Sequence, residues 1–383
     1  MVYLMVNTKQ VLTGLDAEER NGFSVLRGKR VAVVTNHTSL DRKWGWLPRL
    51  LKKYGVGLAK IFSPEHGPYG VAKEGEEVTG YFDRQLGCDV VSLYGERKTL
   101  LPDDIDDVDA VIYDIQDAGV RFYTYISTLN STVKACRLAS RQLIVLDRPD
   151  PLNGNTVRGP VLDEELLSFV GIDAIPLQYG MTPGELANYW SGGMDFLEVV
   201  RMKNWSRGMW LDDTQLPFAA PSPNLPDIQS LLLYPGLAVF EGLNVSVGRG
   251  TTRPFRLIGA PWLDGYDLLS SVEGVRGFIA RYTRFRPWYS KFENEVCEGV
   301  EIMVTDREKA DPIRLSLRML SYLSGQEGVE WTQNGRHLWA EYITGVKGID
   351  RIAREGDAQN WVAKWNRDAR AFRKRISKCL LYR

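Results

Sequence analysis

The sequence is poor in the residues that carry redox and metal chemistry. It holds four cysteines (Cys88, Cys136, Cys297 and Cys379) and three histidines. No two cysteines form a C-x-x-C pair, and their spacing matches no zinc pattern. They read as buried or indifferent thiols of a reducing compartment. The histidines lack H-x-x-x-H or H-x-H spacing, so no metal is expected. Charge of one sign is not in excess either. Lys+Arg and Asp+Glu both number 48, for a formal net charge of zero. That balance argues against a nucleic-acid or membrane-surface binder, while leaving room for a local basic pocket. No run approaches the roughly 18 apolar residues of a membrane span. Residues 1–9 have no basic start followed by an apolar stretch, so the expected location is the cytoplasm. G-x-G-x-x-G and G-x-x-x-x-G-K-[ST] are missing, which speaks against phosphate-cradling loops and a bound cofactor. G-x-S-x-G is missing too, which speaks against a serine hydrolase.

What is present reads as ordinary globular protein. The chain has 383 residues, 44% hydrophobic and 25% charged. That is ample material for a core and enough length for two domains. Short apolar runs alternate with helical stretches through the first two-thirds. Strands are expected at Arg30–Val34, Leu58–Phe62, Val90–Tyr94, Ala110–Tyr113, Leu143–Leu146 and Leu197–Met202. Helices are expected at Trp46–Tyr54 and Ile126–Ala139, and a capping box at Thr182–Glu185 opens another. Continuous apolar strands imply a sheet covered on both faces, and the alternation implies a parallel, doubly wound α/β fold. Prolines 217, 221, 223, 226 and 235 then suggest extended, irregular chain from Phe218 to Pro235, with a domain boundary near residue 229. Beyond it, a strand is expected at Val300–Thr305 and helices at Pro312–Leu323, Gly348–Glu355 and Ala358–Lys378. Trp361, Trp365, Phe372 and Ile376 give the last helix an apolar, core-packing stripe.

Chemistry collects in the loops that leave the strands. Asn36-His37-Thr38 follows one strand and Ser63-Pro64-Glu65-His66-Gly67 another. Asp114, Gln116 and Asp117 follow a third, with Arg121, Tyr123 and Tyr125 just beyond. Asp147-Arg148 follows a fourth. In open parallel sheets a ligand sits beyond the carboxyl ends of the strands, so these loops are expected to share one crevice. Glu65, on a stiff turn after an apolar strand, is the candidate general acid. His66 is a candidate to orient it or to bind substrate. Asp114 and Asp117 suit glycosidic chemistry, where one carboxyl protonates the leaving oxygen and a second activates water or attacks the sugar. Arg121 stands at i+4 from Asp117, so an ion pair is an equally simple reading. Glycines around Glu241 to Thr252 would let backbone approach a ligand.

Residues 35–38, 62–67, 92–95, 114–125, 146–149, 180–185, 221–224 and 248–252 together resemble the NamZ-like family of exo-acting β-N-acetylmuramidases. The most specific stretch is Asp114-Ile115-Gln116-Asp117-Ala118-Gly119-Val120-Arg121-Phe122-Tyr123-Thr124-Tyr125, and the likeness runs in order to Leu380-Leu381-Tyr382. The resemblance implies a Rossmann-like catalytic domain over 1–228 and a smaller α/β carboxyl-terminal domain over 229–383 that completes the cleft. It also implies release of terminal, non-reducing N-acetylmuramic acid, or a related amino sugar, from peptidoglycan fragments. The partner is then an amino-sugar glycan or muropeptide, with no cofactor. Glu65 falls on the family's P-E-H-G glutamate. Pro68-Tyr69 and His37 depart from the residues many of those relatives carry. Muramic acid bears a lactyl carboxylate, which a guanidinium can clamp, so Arg121, Arg148 and Arg249 are candidates. Tyr69, Tyr123 and Phe240 are candidates to pack on a sugar face. Asn36, Asp147, Asn224 and Glu241 complete the expected binding set. A nucleotide-sugar-dependent transferase and a non-catalytic saccharide-binding protein are the alternatives.

Overall fold

The computed structural model describes residues 10–73 and 75–383. Residues 1–9, read above for a leader signal, lie outside the described residues. The chain opens with helix α1 (Gly14–Arg20), then strand β1 (Arg30–Thr35), α2 (Leu47–Lys53), β2 (Gly57–Ser63), β3 (Tyr81–Asp83), β4 (Cys88–Ser92), β5 (Ala110–Asp114), α3 (Tyr125–Ala139) and β6 (Gln142–Leu146). A short antiparallel ribbon follows, β7 (Arg158–Val161) with β8 (Pro176–Gln178), then α4 (Pro183–Ser191) and β9 (Leu197–Val200).

Seven of these strands form one sheet in the order β3-β4-β2-β1-β5-β6-β9. All its pairings are parallel except β3 with β4. The alternation of side chains explains why these strands read as unbroken apolar runs. Val31, Val33, Ile112 and Ile144 pack on one face with Leu15 and Leu26. Ala32, Val34, Val111, Tyr113 and Val145 pack on the other, in a core that continues to Leu177, Phe240 and Leu315. Both faces are therefore dry, as expected of a doubly wound α/β sheet.

The remainder contains α5 (Ile228–Leu237), β10 (Leu257–Ala260), α6 (Gly265–Val272), β11 (Phe278–Phe285), β12 (Cys297–Val304), α7 (Pro312–Leu323), α8 (Trp339–Thr344), α9 (Ile349–Glu355) and α10 (Ala358–Arg375). Its sheet is antiparallel, in the order β10-β12-β11. Helix α10 returns to pack on β7. The tail beyond it is tied down there. The Leu381 amide donates to Glu185 at 2.7 Å and the Tyr382 hydroxyl to Asp147 at 2.6 Å.

Two expectations need correction. The stretch after Phe218 is irregular only as far as Asp227; Ile228–Leu237 is helical with Pro235 inside it. Asp227 caps that helix by accepting from the Ser230 amide at 2.7 Å. Pro235 sits in its last turn and forgoes the hydrogen bond to the Leu231 carbonyl, a loss set against the burial of Leu231, Leu233 and Leu237. The last helix ends at Arg375, not Lys378, and a tighter turn covers Ile376–Cys379. Strands β3, β7, β8, β10 and β11 were not read from the sequence.

Candidate active site

A cleft of ≈ 350 Å³ opens between the large sheet and the carboxyl-terminal elements. Glu65, His66, Tyr94, Phe122, Tyr123 and Thr124 line one side, and Glu241, Val245, Val247, Arg249, Lys291 and Trp339 the other. Glu65 and Glu241 are its two carboxylates among the described residues.

The chain leaves β2 at Ser63 and makes a tight turn, closed by the Gly67 amide donating to the Pro64 carbonyl at 3.1 Å. His66 occupies left-handed backbone at φ 70°, an uncommon conformation for a residue with a Cβ and a form of local strain that collects at functional sites. The turn is held from within. His66 Nδ1 lies 2.8 Å from the Ala72 carbonyl, which can only accept, so that nitrogen carries the proton. Glu65 is half-buried and oriented through both oxygens: Oε2 accepts from the Thr124 hydroxyl at 2.7 Å and Oε1 from the Gly75 amide at 3.2 Å. Thr124 sits at the start of α3, so the glutamate after β2 is aimed by the helix after β5.

The opposite wall is cationic. Arg249 pairs through Nε with Glu241 and lies with its guanidinium 5.1 Å from the Phe255 ring. The Lys291 ammonium donates to the carbonyls of Glu241 at 2.7 Å and of Leu243. Burial pushes Lys291 down to about 8, with Glu241 opposing that shift and Arg249 adding to it. The aromatic floor is Tyr123 and Tyr234, with ring centroids 6.1 Å apart at 86°. Burial raises the phenol of each.

The sequence candidates therefore divide. Glu65, His66, Tyr123, Glu241 and Arg249 meet in the cleft. Asn224 stands behind it, buried and accepting from the Tyr289 hydroxyl at 2.8 Å. Tyr69 faces away, donating to Asp83 at 3.0 Å and packing on Trp46. Phe240 is fully buried in the core.

Asn36, Asp114, Asp117, Asp147 and Arg148 do not line the cleft. They form a packed polar layer at the carboxyl edge of the sheet. Asp114 is buried against the Arg148 guanidinium and the Ser39 hydroxyl. Asn36 accepts from the Thr38 amide at 2.9 Å and hydroxyl at 2.6 Å. Asp117 accepts from the Gly119 amide at 2.8 Å and from the Tyr179 hydroxyl, and burial pushes it up to about 6. Asp147 accepts from Thr182, Gly184 and Tyr382, and burial pushes it up to about 7. Arg121 does not pair with Asp117. It is fully buried, donating to the Pro160, Ile175 and Ile343 carbonyls at 2.9, 3.0 and 3.3 Å. Those bonds tie the β7–β8 ribbon to α8.

The sequence reading had not named Tyr94, Phe122, Thr124, Tyr234, Lys291 or Trp339 as site residues. Tyr94, Phe122 and Thr124 sit inside motifs it quoted. Lys291 belongs to no motif and reaches the cleft only through the fold. Among the described residues no group of three His, Cys, Asp or Glu side chains is arranged to hold a metal ion, and no helix is long and apolar enough to cross a membrane.

Two family models match the chain, exo-β-N-acetylmuramidase NamZ, N-terminal, over residues 31–229 and exo-β-N-acetylmuramidase NamZ, C-terminal, over 232–382. The chain is 37% identical to peptidoglycan β-N-acetylmuramidase NamZ of Bacillus subtilis (strain 168), across 97% of this chain and 92% of that protein. Two crystal structures of DUF1343 family proteins from Bacteroides fragilis are similar throughout. One has a TM-score of 0.87 at 30% identity and the other 0.77 at 29%; each match covers 98% of this chain and 99% of the other.

Proposed function

The chain belongs to the exo-β-N-acetylmuramidase NamZ family, and from that premise we propose that it is an exo-acting glycoside hydrolase. Its substrate is a peptidoglycan fragment with N-acetylmuramic acid, or a related amino sugar, at the non-reducing end. Residues 1–228 carry the acid, and residues 229–383 complete the cleft. The observation that carries this reading is that Glu65 and Glu241, from the two parts of the chain, line one cleft with an aromatic floor.

Glu65 is the general acid. It gives its proton to the glycosidic oxygen as the bond from that oxygen to C1 of the sugar breaks. Glu241 is the second carboxylate, replacing Asp114 and Asp117 in that role. It takes a proton from the water that attacks C1, or attacks C1 itself before water releases the sugar. Arg249 pairs with Glu241 through Nε and fixes its carboxylate in the cleft. Arg249 and Lys291 lie where a lactyl carboxylate would be attracted, and Tyr123 and Tyr234 offer faces to the pyranose.

Product analysis tests the assignment. The enzyme is incubated with a disaccharide carrying N-acetylmuramic acid at the non-reducing end, and with the reversed disaccharide. Free N-acetylmuramic acid from the first alone is the expected result. Turnover that needs a nucleotide sugar, or saccharide binding with no product, would sink the proposal.

A further inference from the structure

A second cleft, of ≈ 610 Å³, shares no lining residue with the first. It lies where β7, the turn before β11 and the amino-terminal parts of α7 and α10 meet. Arg158, Arg276, Lys309, Arg314 and Arg318 line it, against a single carboxylate, Asp311. In a chain of zero formal net charge this is marked segregation.

The simplest account of a charged surface is a solvated face with its own counter-charges. Several neighbouring arginines fit that account. Arg253, Arg256 and Arg281 converge on Glu301, Arg284 pairs with Glu298, and Arg307 pairs with Asp212 and Asp213. The second cleft does not fit. Arg276, Arg314 and Arg318 have no ion pair among the described residues. Arg314 and Arg318 stand one turn apart on α7, with Leu315, Leu317 and Leu320 buried on its other side. Arg158 is fixed by donating to the Ala310 carbonyl at 2.6 Å, and Asp311 is occupied in capping α7 through the Arg314 amide at 3.1 Å.

We propose that this cleft binds an anion carrying two or more phosphate groups. Guanidinium forks match phosphate oxygens two at a time, and unpaired arginines need no internal ion pair broken first. Lys309 is paired with Asp306 at 2.6 Å, which leaves four arginines against Asp311; they call for several negative charges in a small volume, which an oligophosphate supplies and a lone carboxylate does not.

Calorimetric titration with tripolyphosphate at physiological salt tests the site, with long-chain polyphosphate as a second arm. One tripolyphosphate per chain is expected. Arg314→Glu/Arg318→Glu should weaken binding at least about tenfold, a loss of about 1.4 kcal/mol. Both residues are exposed, so the variant should melt as the wild type does and hydrolyse glycan at the wild-type rate. If long-chain polyphosphate binds and tripolyphosphate does not, the ligand is a polymer and the same chemistry stands. No heat with either probe would overturn the proposal. So would unchanged affinity in the double variant, or equal affinity for a single-stranded DNA oligomer of matched charge, which would mark a non-specific patch.

Discussion

The cleft and the polar layer at the sheet's carboxyl edge are made of the same residue types and stand close in sequence, yet they are physically opposite. In the layer every carboxylate is enclosed: Asp114 by Arg148, Asp147 by Thr182, Gly184 and Tyr382, Glu185 by Arg207 and Leu381. In the cleft, Glu65 and Glu241 are held by hydrogen bonds or an ion pair but line the opening. The β1–β5 edge, where the strand order reverses and a ligand is expected in such sheets, is filled by the chain's own side chains. The catalytic opening lies one strand over, beyond β2, where the second unit supplies the facing wall. A carboxylate enclosed in the interior holds a fold together; one that lines an opening can do chemistry.

The largest expected effect separates the two regions directly. Glu65→Gln keeps the shape of the side chain but removes the proton donor, so kcat/KM on a muramic acid glycoside should fall about 10²–10⁴-fold. The melting temperature should stay at the wild-type value. A variant that unfolds, or one that stays fully active, would erase the distinction from the cleft side.

From the other side, Arg148→Leu strands Asp114 in the interior. Removing one partner of a buried pair costs about 3–5 kcal/mol, read as a lower urea midpoint at unchanged slope. The folded fraction should keep its KM. If KM rose instead and stability held, Arg148 would belong to the substrate site, and the layer would not be purely structural.

The fold was legible because its signals are local. β1, β5 and β6 each put apolar residues on both faces, and Thr182 and Glu185 form the expected capping box. Glu65 was legible because a stiff polar turn after a buried strand is a short-range pattern. Which carboxylates are enclosed was not legible. Asp117 points at Tyr179 and Asp147 at Tyr382, partners 62 and 235 positions away, and spacing in sequence carries no trace of either. Helix α5 was hidden by Pro235, whose lost hydrogen bond is outweighed there by the burial of Leu231, Leu233 and Leu237. The pairing of β10 and β11 with β12 depends on contacts across the second unit, which a four-residue β10 and a largely unburied β11 do not announce.

The smallest effect sharpens the comparison within the cleft itself. Lys291 is partly buried and its ammonium is held down to about 8, so its charge is lost as pH rises through that value. Below that pH the wall opposite Glu65 carries Arg249 and Lys291 against Glu241; above it, Arg249 alone balances Glu241. A substrate bearing a lactyl carboxylate should register the difference as a rise in KM between pH 7 and pH 9. A neutral N-acetylglucosamine glycoside, which differs only in lacking that group, should not. One charge in a partly hydrated cleft is worth about 1 kcal/mol, or roughly fivefold in KM, and more at low salt. Lys291→Met should remove the pH-dependent rise and leave KM for the anionic substrate high throughout. Identical pH profiles for the two substrates would mean that Lys291 only fastens the Glu241–Leu243 turn, and that its charge belongs with the enclosed groups of the sheet edge rather than with the site.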